Sequence, residues 1–313
     1  LIQQKEDLHV LVSDWEFGAG KAGTSTGPKT LIEYCKESGL SFICKAPITI
    51  IDQKVTAEEV EDIHYPYLKR AIPLIEHQTR FADAIENERN NNAKLLLLTG
   101  DHSNAIGGLA GFCRNKDTNK LGVIWIDAHL DLHSPYTTPS GNIHGMSVNT
   151  AIEKDNLKCQ RNEIGAECEE LWNKIKGIKK NSPIPAENIV FIGIRSYELP
   201  EETLIKDHNI KVIYAEEVLD NGIQWAVTKA IDYLNSKIDD LYISFDVDSM
   251  DPSVSVGTGT PVESGLSKIQ AVDILSTLIE YPKTSCLEIT EINPKLDQQK
   301  PMAKQVFEIL NQI

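Results

Sequence analysis

The chain has 313 residues, a formal net charge of −15, 41% hydrophobic and 25% charged residues. That is ordinary globular composition and enough length for a large core. No cluster of lysine and arginine offers a footprint for nucleic acid, so that class of partner is set aside. No apolar run reaches bilayer-spanning length and no signal-peptide pattern opens the chain, so no membrane role is expected. Leu1 in place of a methionine leaves room for a short lost leader. Six scattered cysteines, Cys35, Cys44, Cys113, Cys159, Cys168 and Cys286, include no CxxC pair. In a chain this long they read as reduced thiols, and the expected setting is the cytoplasm.

In chain order, short apolar runs recur at residues 8–12, 48–51, 95–98, 123–126, 189–194, 212–214, 241–245 and 286–292. Several are apolar at consecutive positions, as in strands buried on both faces of a parallel sheet. Helix-like segments lie between them, for example at 28–37, 224–236 and 268–280. The alternation predicts an α/β fold: a three-layer α/β/α sandwich around a mostly parallel sheet of about eight strands, as one domain over 1–313. The charged stretch 153–180 reads as a surface insertion, helical near 168–178. Residues 90–92 read as a polar turn. The glycine-rich stretch from Gly18 to Thr24 follows the first strand, but Ala22 follows Lys21 where a phosphate loop needs Ser or Thr. It is read instead as a tight, mobile loop at a strand end.

The chemistry gathers after three strand-like runs, where ligands of open α/β sheets bind. Asp101 and His102 follow the third run. Asp127, His129, Asp131 and His133 follow the fourth, Asp246 and Asp248 the seventh. If the strand continues, the alternating residues 127–133 project from one face. Buried side by side they would be poorly solvated and mutually repulsive, a penalty that bound cations remove. Four carboxylates, from Asp127, Asp131, Asp246 and Asp248, balance two divalent ions, with His102 and His129 as nitrogen ligands. Paired ions share bridging carboxylates and activate water. The oxygen-rich set without cysteine suits Mn²⁺, with Co²⁺, Ni²⁺ or Fe²⁺ open.

The segments Gly100-Asp-His-Ser103, Asp127-Ala-His-Leu-Asp131 and Ser244-Phe-Asp-Val-Asp-Ser-Met-Asp-Pro252 resemble the ureohydrolase family. Within it the stretches 134–145, 257–261 and 290–294 look most like those of the arginases. The resemblance implies a binuclear manganese hydrolase that cleaves L-arginine to L-ornithine and urea. One ion would be held by His102, Asp127, Asp131 and Asp246, the other by His129, Asp127, Asp246 and Asp248. His144 and Asp131 would move protons, and Glu291 would hold the guanidinium. Thr138, Ser140, Asn142, Glu198 and Thr260 would contact the rest of the substrate. Family members are often trimers or hexamers, so a homo-oligomer is expected. Thr99, His133 and Glu198 stand where the family usually has Gly, Asn and Asp. His133 could be a further metal ligand, a donor to the substrate carboxylate or a bystander; the donor role is preferred. The alternatives are another ureohydrolase, acting on agmatine or a different guanidino acid, and a non-catalytic subunit of the same fold.

Overall fold

The computed structural model describes residues 7–39, 43, 45–60, 64–91, 93–297 and 301–313. Cys44 and Asn92 lie outside the described residues. Eight strands, β1 (Leu8–Ser13), β2 (Ile48–Ile51), β3 (Lys94–Thr99), β4 (Leu121–Ile126), β5 (Ile189–Ile194), β6 (Lys211–Tyr214), β7 (Asp240–Asp246) and β8 (Thr284–Thr290), form one sheet in the order β2-β1-β3-β8-β7-β4-β5-β6. Every described pairing is parallel. Each expected strand run is therefore present, and the sheet is all-parallel rather than mostly so.

The runs are continuously apolar because both faces are covered, and side chains alternate between two cores. Val10, Val12, Leu96, Leu98, Ile124 and Ile126 pack on one face with helices α1 (Gly27–Glu37), α8 (Ile223–Asn235), α9 (Lys268–Glu280) and α10 (Met302–Leu310). Leu11, Leu95, Leu97, Val123 and Trp125 pack on the other with α2 (Ala71–Asn90) and α3 (Ala105–Cys113). In β5 the alternation slips at Gly193, whose φ of 92° accompanies a register shift between Ile192 and Ile194. Ile192 faces the first core and Ile194 the second.

The 153–180 stretch is more than a surface appendage. It includes α5 (Ala166–Gly177), which places Cys168, Leu171, Trp172 and Ile175 against Leu74 and Ala82 of α2 and Ile106 and Ala110 of α3. Trp172 is fully buried, and its indole N–H donates to Asp155 Oδ1 at 2.7 Å. Three further short helices, α4 (Ser147–Ile152), α6 (Leu199–His208) and α7 (Ala215–Asn221), complete the frame. Among the described residues no helix is long and apolar enough to cross a membrane.

Candidate metal centre and substrate cleft

The cleft lies at the carboxyl ends of the central strands. The sheet brings β3, β8, β7 and β4 side by side, so the segments that leave them meet. His102 sits in the 3₁₀ turn His102–Asn104 after β3. Asp127 to His133 follow β4, Asp246 ends β7, and Asp248 lies in the 3₁₀ turn Val247–Ser249. These positions correct one expectation. The strand does not continue through residues 127–133; β4 stops at Ile126, and Asp131 takes a φ of 50°. The four side chains do not converge as one strand face. Asp127 and Asp131 turn towards His102, and His129 turns towards Asp248.

His102 is buried and stacked on Trp125, with ring centroids 4.0 Å apart. Ser244 Oγ donates to Glu288 Oε2 at 3.0 Å and lies 2.8 Å from His102 Nε2. Its proton is thus committed to Glu288, and it accepts from an Nε2–H. That choice of tautomer turns the lone pair of Nδ1 into the cleft. Around Nδ1 stand Asp127 Oδ2 at 3.1 Å, Asp131 Oδ2 at 3.2 Å and Asp246 Oδ2 at 3.0 Å. Yet Nδ1 is buried with no hydrogen-bond partner. A nitrogen lone pair facing three carboxylate oxygens is repulsive unless a cation lies among them. The residues present therefore fit a metal ion.

A second group adjoins the first. His129 Nδ1 is 3.0 Å from Asp248 Oδ2 and 3.5 Å from Asp127 Oδ1. Ligand atoms of His102, Asp127 and Asp131 lie within 4.8 Å of one another, as do those of Asp127, His129 and Asp248. Asp127 belongs to both groups, as a bridge would. Asp246 falls in neither; its contact is with His102 Nδ1, while its Oδ1 accepts from Asp248 N at 2.7 Å. Burial, followed by the neighbouring carboxylates, pushes Asp246 far above the usual carboxylate range and Asp248 up to about 6. Burial also opposes charge on His129, but Asp248 and Asp127 outweigh it and raise the imidazole to about 12. Both directions show a cluster short of positive charge.

Two backbone N–H groups and one indole N–H fix Asp127 and Asp248. Asp127 Oδ1 accepts from His129 N at 2.7 Å and its Oδ2 from Trp125 Nε1 at 2.9 Å. Asp248 Oδ1 accepts from Ala128 N at 3.2 Å. Thr260 lines the cleft, and its hydroxyl donates to Asp248 Oδ2 at 3.1 Å.

The cleft, about 210 Å³, is also lined by His133, Thr138, Ser140, Asn142, His144 and Glu198. Thr138 Oγ1 accepts from Ser140 N and Gly141 N, and Ser140 Oγ accepts from Asn142 N at 3.2 Å, keeping its own proton to donate. His144 Nδ1 lies 3.7 Å from Glu291 Oε1. Burial would lower His144, but Glu291 and more distant Asp131 and Asp101 raise it. Glu291, at φ 66°, is buried beside the cleft between His102 and His144; its Oε1 accepts from His102 N at 2.8 Å. His133 belongs to neither ligand group. It is buried, with Nε2 3.6 Å from Glu201 and 3.9 Å from Glu198 and Nδ1 3.2 Å from Thr137 Oγ1. Burial, only partly opposed by Glu198, pushes it down to about 4, so it is neutral near pH 7.

Several contributors carry no local signature in the sequence. Ser244 stands inside a recognised motif, but its tie to His102 needs the neighbouring strand. Ser196, Tyr197 and Glu201 line the cleft without having been singled out. Glu201, three residues after Glu198, forms a capping box at the start of α6, a helix-start signal rather than a site signal. The glycine loop is tight, as expected, but anchored: Gly18 N and Ala19 N donate to Asp101 Oδ2, and Lys21 Nζ donates to Gly259 O.

Comparison with known proteins agrees with this geometry. The sequence matches the Arginase family over residues 7–313. It is 33% identical to an arginase of Staphylococcus aureus (strain COL) over 302 residues, covering 94% of this chain and 92% of the relative. It is 30% identical to the arginase of Bacillus subtilis (strain 168) over 311 residues, covering 98% and 97%. Among solved structures, Entamoeba histolytica arginase in complex with L-ornithine superposes with a TM-score of 0.85 at 26% identity, covering 99% of each chain. The native arginase of Bacillus caldovelox gives 0.84 at 28% identity, covering 98% of each. The chain belongs to the Arginase family, and it is a hydrolase that acts on a guanidino carbon–nitrogen bond.

Proposed function

We propose that the protein is a binuclear manganese arginase, cleaving L-arginine to L-ornithine and urea. The observation that carries this reading is the His102 Nδ1 lone pair facing three carboxylates beside the His129–Asp127–Asp248 group. His102, Asp127, Asp131 and Asp246 would hold one ion, and His129, Asp127, Asp246 and Asp248 the other. Oxygen-rich ligands with two imidazoles and no thiolate favour Mn²⁺ over a structural zinc site. When bound, the pair supplies a water made nucleophilic at moderate pH.

The chain's own residues do the rest. Water adds to the guanidinium carbon, the bond to the ornithine nitrogen breaks, and that nitrogen takes a proton as urea forms. His144, raised by Glu291 and set on the cleft wall, is the group that delivers this proton. Asp131 carries away the proton of the attacking water. Glu291 offers Oε2 to the guanidinium while Oε1 stays tied to His102 N. Ser140 and Asn142, with Thr138 fixing their turn, donate to the amino-acid carboxylate, partly through water. Glu198 faces the α-ammonium. His133, neutral and buried, serves as a neighbouring donor rather than a ligand. A homo-oligomer, trimer or hexamer, and a cytoplasmic setting belong to the same reading; Cys113, Cys159 and Cys286 stand as free thiols.

The test is urea release by manganese-loaded protein on L-arginine and agmatine. The highest kcat/KM is expected for arginine. A higher value for agmatine would overturn the substrate assignment while leaving the family intact.

A further inference from the structure

The segment 155–162 runs as a strap between two walls of the cleft. Asn162 is buried, and its Nδ2 donates to Pro135 O at 2.9 Å and Thr138 O at 2.7 Å. Arg161 N and Asn162 N both donate to Tyr136 O, at 2.9 and 3.1 Å. Ser134 Oγ donates to Asp155 O at 2.8 Å. On the opposite wall, Asn156 Nδ2 donates to Pro200 O at 2.6 Å. The strap therefore grips the 134–142 loop on one side and the start of α6 on the other.

Besides Asn156, two charged side chains of the strap meet the second wall: Lys158 pairs with Asp207 of α6, and Arg161 with Glu198. Arg161 Nη2 lies 2.7 Å from Glu198 Oε2, the pair being 38% and 42% exposed. Glu198 lines the cleft; Arg161 does not. The other oxygen, Oε1, is left on the His133 side, 3.9 Å from its Nε2. The Glu198 backbone is fixed as the cap of α6, with its N–H donating to Glu201 Oε2 at 2.9 Å. Its side chain is long, and an untethered glutamate loses appreciable rotamer entropy when it must meet a ligand. Arg161 removes that freedom beforehand, using one oxygen and leaving the other.

We infer that Arg161 is a positioning residue for substrate specificity: it holds Glu198 oriented to receive the substrate's α-ammonium group. This rests on the arginine reading of the cleft. Two effects oppose each other. Arg161 partly neutralises Glu198, which would weaken attraction for a cation, and it orients the carboxylate, which strengthens a directed hydrogen bond. At nearly 40% exposure the Coulomb effect is screened by water and salt, so orientation dominates.

The experiment compares wild type, Arg161→Ala and Arg161→Lys, each manganese-loaded, on L-arginine and on 5-guanidinopentanoate, the same compound without the α-amino group. Arg161→Ala is expected to raise KM for arginine about 3- to 5-fold, the scale of an exposed ion pair. KM for the des-amino compound, kcat and bound metal should be unchanged, and Arg161→Lys should recover part of the loss. A rise in KM for both compounds would overturn the inference, because Arg161 would then serve the carboxylate or the loop as a whole. A fall in KM for arginine would overturn it in favour of simple neutralisation. An unchanged KM would also overturn it. If the wild type releases no urea from arginine, the proposed function falls and this inference with it. If the wild type prefers arginine and Arg161→Ala keeps the same preference, only the inference falls.

Discussion

Ser244 accepts from His102 and donates to Glu288, and this pair of bonds decides which imidazole nitrogen faces the carboxylates. Glu288 is itself held by Thr99 Oγ1 at 3.0 Å and Tyr242 at 2.8 Å. Thr99, a departure from the family pattern, thus has a use: its hydroxyl satisfies a buried acid. Removing the Ser244 hydroxyl leaves the tautomer of His102 unspecified. Ser244→Ala should weaken metal binding by about 10- to 100-fold, as losses of such outer partners do. Titration of chelator-treated protein with Mn²⁺ checks this; an affinity equal to wild type would show that Ser244 does not set the ligand. His133→Asn should retain all its bound metal and most of kcat, because His133 stands outside both ligand groups. Loss of an ion from that variant would restore the ligand reading.

At the scale of elements, the 134–142 loop depends on Gly141. Its φ is 75°, and a Cβ there would lie 1.9 Å from Pro66 O. Lys69 N donates to Gly141 O at 3.0 Å, so residues 66–69 buttress the loop from behind. Gly141→Ala should destabilise the protein by about 1–3 kcal/mol through left-handed strain and the clash. Denaturant unfolding measures the first effect. KM for arginine should rise as the loop shifts, and an unchanged KM would mean that the loop does not bind substrate. The eight strands were legible because strands covered on both faces are apolar at every position, and their limits agree within about two residues. The acidic clusters were legible as residue types placed after strands. Their geometry was not. The alternation Asp127, His129, Asp131 suggested one strand face, but β4 ends at Ile126 and Asp131 adopts a φ of 50°. Long-range partners were also hidden: 142 residues separate Ser244 from His102, and 37 separate Arg161 from Glu198. Pairwise contacts at such separations leave no local period to read.

Over the whole molecule, pH acts through buried groups as well as through the site. His77 is 2% exposed and neutral in a complete network: its Nε2 lies 2.8 Å from Ser13 Oγ, which donates to Asn104, and its Nδ1 lies 3.3 Å from Arg80 Nη2. Burial and then Arg80 push its pKa down to about 3, from 6.5. Between those values the unfolded chain holds a proton that the folded chain lacks, so stability falls as pH drops below about 6.5 and is unaffected above it. The slope from this group is at most about 1.4 kcal/mol per pH unit. His77→Gln should flatten the fall in denaturant midpoint between pH 6.5 and 5, even if the variant starts lower; an identical slope would remove His77 as the cause. The same balance of burial against missing positive charge underlies the functional centre. Its most direct test is to titrate the metal-free protein with Mn²⁺ while counting bound ions and urea formed from L-arginine. About two ions per chain should bind, activity should appear as the pair fills, and Asp127→Ala, which removes the residue common to both groups, should abolish both. Full urea production with no bound divalent ion, or undiminished binding and activity in Asp127→Ala, would contradict the account.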